Sequence, residues 1–181
     1  GGWPLSKKPP GLIANAAEVA AGDGRNAALK LDGTVVTWDD NATAFSTPPV
    51  GLANIVGIAA GGAHYVAVSA AGTVTAWGSN VNGQATVPAG LSNVVAVSAG
   101  TNHCMALRAD GTVVAWGDNA HLQATVPTTV ADAVLISSGA NHNIVLRGDG
   151  WFVDWGESGN GVRTGQNAVG IAAGRGHSLT R

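Results

Sequence analysis

Charge is what this sequence has least of. Only 11% of its 181 residues are Asp, Glu, Lys or Arg, less than half the usual share, so Asn, Thr, Ser and Gly must cover much of the surface. The formal charge of -2 and a pI near 6.2 exclude the basic stripe that nucleic-acid binding requires, and Lys7 with Lys8 is the only adjacent basic pair. The single cysteine, Cys104, excludes an internal disulfide. No apolar run approaches the roughly 18 residues of a membrane-crossing helix, so no transmembrane segment is read. A helical hydrophobic period is also missing, which excludes a bundle or a coiled coil. The chain starts at Gly1 and its only methionine is Met105. We therefore expect either a processed product, extracellular or periplasmic after loss of a secretory signal, or part of a longer polypeptide.

What is present is repetition. The stretch VVAWGDNAHLQATVP (Val113 to Pro127) echoes VTAWGSNVNGQATVP (Val74 to Pro88) and, more faintly, VVTWDDNATAFSTPP (Val35 to Pro49). Trp38, Trp77, Trp116 and Trp155 stand 39 residues apart. Gly33, Gly72, Gly111 and Gly150 keep the same step, as do Gly22, Gly61, Gly100 and Gly139. Three markers on one period describe an array of identical supersecondary units. Within one unit, VVAVSAG (Val94 to Gly100), HCMALRADG and GTVVAWG alternate apolar and polar residues with period two, which reads as strand, turn, strand, turn, strand. Asp-Gly at Asp32-Gly33, Asp110-Gly111 and Asp149-Gly150 is a hairpin signal, because glycine accepts the positive φ of a tight turn.

Three short strands cannot bury both faces alone, so each unit must stack on the next, with its Trp supplying the large apolar surface. A radial stack of small antiparallel sheets is a β-propeller. The whole chain, 1–181, is expected to form one such all-β domain, with repeats at about 19–57, 58–96, 97–135 and 136–170. Half-units 1–18 and 171–181 flank them: GGW, with Trp3, reads as a last strand, and Val169 to Arg181 as two first strands. The expectation is a propeller of about five units with one blade composed from both termini; the alternative is an incomplete part of a seven-bladed ring.

The pattern AG…H…AL…DG.V.AWG.N…Q, running over Val19 to Arg181, resembles the repeat of the regulator of chromosome condensation family. Gly-x-x-His, the hairpin glycine and Trp-Gly recur in register. The short period and VPAGLSNVVAVSAG look most like the bacterial branch of that family, which includes the propeller-type β-lactamase inhibitor protein. Relatives of this kind are usually seven-bladed. The resemblance implies a protein-binding platform with no chemistry of its own; the exchange-factor and chromatin loops of one family member have no match here.

Several residues invite chemistry. His64, His103, His142 and His177 hold one turn of successive units, too far apart for a shared metal with bonds near 2.0–2.1 Å, so each is expected to bond backbone at its turn. Cys104 follows His103, but neighbours on a strand point to opposite faces, which excludes a Cys-His nucleophile from that pair. GDGRNA (Gly22 to Ala27) has the letters of a dinucleotide fingerprint without the helix it needs. Arg147-Gly148-Asp149 sits on a hairpin whose equivalents are ordinary turns, and Asn41-Ala42-Thr43 is a formal glycosylation sequon. No carboxylate pair recurs as a glycosidase would require. No catalytic residue, metal site or cofactor is read, and the chain is expected not to be an enzyme.

Two binding readings remain. The first is a protein-interaction or self-assembly scaffold using the loops Asp39 to Pro49, Gly78 to Pro88, Gly117 to Pro127 and Gly156 to Gly165. Its candidate contact residues are Asp40, Asn41, Phe45, Asn80, Asn82, Gln84, Asn119, His121, Gln123, Asn160 and Arg163. The second is a lectin-like propeller in which Asn80, Asn82, Gln84, Asn119 and Gln123 grip a glycan beside Trp77 and Trp116.

Overall fold

Two-residue alternation broken by short turns folds each unit into a three-stranded antiparallel meander. In the computed structural model, which describes residues 13–39, 47–157 and 163–181, every regular element among the described residues is a strand. The first sheet holds β1 (Ala16–Ala21), β2 (Arg25–Lys30) and β3 (Val35–Asp39), and the second holds β4 (Ile55–Ala60), β5 (His64–Ser69) and β6 (Val74–Gly78). The third contains β7 (Val94–Ala99), β8 (His103–Arg108) and β9 (Val113–Gly117). The fourth contains β10 (Ala133–Ser138), β11 (His142–Arg147) and β12 (Phe152–Gly156), to which a short β13 (Arg163–Gly165) adds an edge. The last sheet has two strands, β14 (Ile171–Ala173) and β15 (Ser178–Thr180), matching the two first strands read at Val169 to Arg181. Trp3 lies outside the described residues.

The middle strand of each unit is buried on both faces, and this is what makes the stack. Side chains of β5 alternate between two cores: Tyr65 and Ala67 pack with Ala27, Leu29, Ile55 and Trp77, while Val66 and Val68 pack with Val94, Ala106 and Trp116. Met105 and Leu107 of β8 repeat the device toward Val145, Val153 and Trp155. Trp77, Trp116 and Trp155 thus each close a core between two sheets, and within the second sheet Trp77 also stacks on Tyr65 with ring centroids 5.3 Å apart.

The sheets begin at Ala16, Ile55, Val94 and Ala133, about three residues ahead of the repeat boundaries that the spacing suggests, so Ala16 to Glu18 lie in the first sheet rather than in an N-terminal half-unit. The cause is a left-handed residue before each first strand: Asn15, Asn54, Asn93 and Asp132 have φ of 60°, 56°, 55° and 50°, and Asn167 has 63°. Asn and Asp tolerate this conformation better than other side chains. The carbonyl of Asn54 accepts from Ala70 N–H in its own sheet (2.8 Å), while the next amide, Ile55 N–H, donates back to Gly33 O of the preceding sheet (3.2 Å). Val94 N–H to Gly72 O and Ala133 N–H to Gly111 O repeat that link. The hairpin glycines therefore do two things. They supply positive φ (77° at Gly33), and they let the next sheet approach, since a Cβ on Gly72 would stand 3.0 Å from Asn93 Cα.

Candidate binding loops and the junctions between sheets

The Gly-x-x-His signature builds the inner end of the junctions that follow the second, third and fourth sheets; in the first sheet Arg25 stands where the others have histidine. A Cβ on Gly100 would fall 2.1 Å from His103 Cε1 and 2.5 Å from Gly139 O of the next sheet, so only glycine fits between ring and neighbour. Gly61 and Gly139 are placed alike. Beside them the main chains join directly: Gly62 N–H donates to Thr101 O, Thr101 N–H to Ala140 O and Ala140 N–H to Arg175 O, all within 3.0–3.1 Å. These turns wall a cavity of about 370 Å³, lined almost entirely by Gly, Ala, Ser and Thr. The first strands are stitched as well, since Glu18 accepts from Ile58 N–H (3.3 Å) and Ser98 Oγ from Ser138 N–H (2.9 Å). Burial holds the Glu18 carboxyl above its ordinary range, against that hydrogen bond.

Two of the four histidines, His64 and His103, meet side chains of the next sheet. His64 Nε2 lies 3.1 Å from Cys104 Sγ, and His103 Nε2 lies 2.8 Å from Asn143 Oδ1. Cys104 thus meets the histidine of the preceding unit, not its sequence neighbour. Desolvation depresses His64 to about 4, with His103 adding to the effect, and burial pushes the fully buried Cys104 thiol well up. The contact is a hydrogen bond between a neutral imidazole and a neutral thiol, with no thiolate to attack anything. His103 is also lowered by burial, against its bond to Asn143. His142 is buried in the same way, whereas His177, on the last sheet, is exposed.

The loop amides are equally committed. Asn80 Oδ1 accepts from Ala85 N–H and its Nδ2 donates to Thr86 Oγ1, both at 2.9 Å. Asn119 does the same with Ala124 and Thr125 at 2.9 and 3.0 Å. Gln84 and Gln123, exposed by only 1% and 0%, accept from Asn82 N–H and His121 N–H, each at 2.8 Å. Their own carbonyls reach into the next sheet: Gln84 O accepts from Trp116 Nε1 (3.0 Å), and Gln123 O from Trp155 Nε1 (3.3 Å) and Asn143 Nδ2 (2.7 Å). The side-chain oxygens of Asn80, Gln84, Asn119 and Gln123 thus frame their loops, while the buried Gln123 Nε2 has no partner. Asn82 and His121 remain exposed.

Arg163, assigned to an exit loop, begins the edge strand β13, where Gly165 pairs with Phe152 and leaves room for its ring. Asp40, Asn41, Phe45 and Asn160 lie outside the described residues. Gly22 to Ala27 is strand, turn, strand, with no helix for a dinucleotide. Arg147 is ion-paired to Asp149 at 2.8 Å, so the tripeptide is folded onto itself. Asp32 and Asp110 accept from the amide and hydroxyl of Thr34 and Thr112, which lower both carboxyls. Among the described residues no His, Cys, Asp or Glu cluster could hold a metal, and no helix is long and apolar enough to cross a membrane.

What sequence reading missed is the left-handed Asn/Asp ahead of each first strand. Its signal, Asn15, Asn54, Asn93 and Asp132 at the same 39-residue step, is as regular as that of the tryptophans.

Comparison with known proteins agrees with this geometry. Residues 55–84 and 94–123 match the model of the regulator of chromosome condensation (RCC1) repeat. No curated protein matches the chain. Among solved structures, Prp20p from Saccharomyces cerevisiae is similar with a TM-score of 0.78 at 17% identity, over 95% of this chain and 57% of that one. The ectodomain of the Physcomitrella patens receptor kinase CR4 gives 0.70 at 24% identity, over 90% and 48%. Human WBSCR16 gives 0.64 at 19% identity, over 78% and 47%. The chain spans about half the length of these solved structures. Prp20p has been characterised for its binding to Gsp1p and histones, and yeast RCC1 (Prp20) has been solved with Kap60 bound. RCC1 repeats are thus matched in the second and third units, and the stacked antiparallel sheets of the chain have the fold of the RCC1-type β-propellers.

Proposed function

We propose that this chain is a non-enzymatic scaffold, placed outside the cytoplasm, that binds a protein partner or assembles through the loops following the third strand of each unit. One observation carries the reading. The groups best suited to chemistry, His64, His103, Cys104, Asn143 and the loop amides, are consumed in joining sheets or closing loops. Exposed, variable side chains on a rigid frame are left, and that is how a loop surface acquires partners. RCC1-type propellers commonly serve as protein-interaction scaffolds, and the binding of Gsp1p, histones and Kap60 by Prp20p is in keeping with this. The lectin-like reading has no observation in its favour.

Mass spectrometry of the intact polypeptide, under denaturing and then native conditions and with extract of its source, tests the proposal. We expect native species heavier than the chain alone that vanish when loops 79–86 and 118–125 are replaced by Gly-Ser of equal length. A chain that stays monomeric, takes up nothing and is indifferent to the replacement would refute the scaffold. A denatured mass above 17.9 kDa would show that the natural ring holds further units.

A further inference from the structure

The stack of sheets ends in two faces, and each is one half of a junction that the interior repeats. At the first sheet Val19 of β1 is 73% exposed, whereas Ile58, at the same place in β4, is 4% exposed under the preceding sheet, and Val97 and Ile136 pack into the next two cores. At the last sheet Leu179 of β15 is 61% exposed, whereas Val66, Met105 and Ile144, each likewise two residues after a histidine, are fully buried where a following sheet covers them. The polar groups of the two ends complement one another as well. Asp23 and Arg175 are the two charged residues lining the cavity of the inner turns, one on the first turn and one on the last, each following its turn glycine as Thr101 and Ala140 do. The amide links that run through Thr101 and Ala140 reach Arg175 O, so Arg175 N–H is the next donor in the series, and Asp23 O stands where the interior acceptors stand. His177, exposed, holds the place of His103, and Asn26, half-buried, holds the place of Asn143, the pair that bonds at 2.8 Å inside the stack.

We propose that the first sheet of one copy docks on the last sheet of another, head to tail, so that the chain assembles by continuing its own repeat. Continuity with the interior junctions sets the occupant. The face that carries Leu179 fits a first strand with an aliphatic side chain at the place of Val19, an asparagine at the place of Asn143 and a carboxylate beside Arg175, and the first sheet of this chain has all three. The last sheet keeps the strands that the contact needs. Inside the stack a first strand packs on the first two strands of the sheet before it, β7 on β4 and β5 and β10 on β7 and β8, and β14 and β15 are such a pair. Burial of Val19 and Leu179 drives the contact, while the opposite charges of Asp23 and Arg175 fix its polarity. Two different patches meet, so the contact is heterologous and each added copy offers a new end until a ring closes. This goes beyond the scaffold reading, because it uses the faces of the end sheets and not the loops.

Complementation between two variants of the full chain tests the order of the contact. Val19→Asp spoils the head and Leu179→Asp spoils the tail, both at exposed positions outside the buried cores. Sedimentation velocity over a range of concentrations gives the mass, and thermal melting gives the integrity of each variant. We expect a wild type whose mass rises with concentration, and variants that alone remain monomers of 17.9 kDa and melt as the dilute wild type does. An equimolar mixture of the two should form a dimer and nothing larger, because one intact head then meets one intact tail. Replacement of the loops by Gly-Ser removes species held by the loops and leaves this one. A wild type that stays monomeric would overturn the proposal, and so would a mixture that stays monomeric while both variants melt normally. Dimers of either variant alone would mean that like patches meet, or that another surface binds, and would overturn the head-to-tail order. A variant that melts below the dilute wild type would show that its residue is covered within the single chain, which also overturns it.

Discussion

The junction between the third and fourth sheets and the one between the fourth and last are copies of one design, yet only the former has its buried histidine paired with a side chain of the next sheet. His103 Nε2 meets Asn143 Oδ1 at 2.8 Å, and Asn143 Nδ2 continues to Gln123 O at 2.7 Å. One unit on, His142 takes the place of His103, and Ser178, which follows His177 as Asn143 follows His142, takes the place of Asn143. There the buried His142 Nε2 and Ser178 Oγ have no hydrogen-bond partner. Two other links survive: Ala140 N–H still reaches Arg175 O at 3.1 Å, and the Ser137 hydroxyl accepts from Ala173 N–H at 3.0 Å, as Ser98 does from Ser138 one junction earlier. The inner turns thus carry a connection that depends on little beyond glycine, while the outer connection depends on one residue in the following unit. A repeat can drift at the second without losing the first.

Glycine substitutions would break this contrast most sharply. In Gly100→Ala the new methyl meets both the buried His103 ring and the Gly139 carbonyl of the next sheet, and neither can yield without opening the junction. A loss of about 3 kcal/mol or more is expected in urea denaturation. In Gly174→Ala the nearest atoms belong only to the exposed His177 ring, which can swing away, so a change below about 0.5 kcal/mol is expected. Equal effects at the two sites would show that the axial contact does not organise the stack.

Much of this frame is legible in the sequence, because a buried contact that recurs must recur in residue type. Trp77, Trp116 and Trp155 each close a core, Gly33, Gly72 and Gly111 each admit the next sheet, and both sets mark the period. The partners of the repeated side chains are harder to read. His64 bonds Cys104 and His103 bonds Asn143, in each case 40 residues ahead and of different chemistry, so no local pattern announces the pair. The amides mislead for a related reason: Asn80 and Gln84 would look the same whether they gripped a ligand or closed their own loop, and only the backbone conformation decides between them.

At the junction between the second and third sheets the buried His64 adds a pH dependence. His64 titrates at about 4 when folded, against about 6.5 in an unfolded chain, because desolvation disfavours its charged form. Between these values the unfolded state binds a proton that the folded state refuses. The contribution is therefore complete above about pH 6.5 and is lost as pH falls toward 4, amounting to about 2 kcal/mol by pH 5. Urea midpoints at pH 7 and 5 should reveal this drop, and His64→Gln, though less stable at pH 7, should show a shallower one. A slope unchanged in that variant would place the proton elsewhere.

The smallest effect is the most diagnostic of the outer connection. If the last junction lacks a bond only because a hydroxyl stands where a carboxamide would reach, Ser178→Asn should recover the pairing that Asn143 makes with His103. One buried hydrogen bond restored to a previously unpaired nitrogen should gain about 1 kcal/mol. The gain must depend on the imidazole, so in a His142→Ala background the same substitution should bring nothing, and the double-mutant cycle isolates the pair from any general effect of the larger side chain. A gain that persists without His142 would mean that the asparagine finds another partner, and that the side-chain connection between units is less specific than the His103 and Asn143 pair implies.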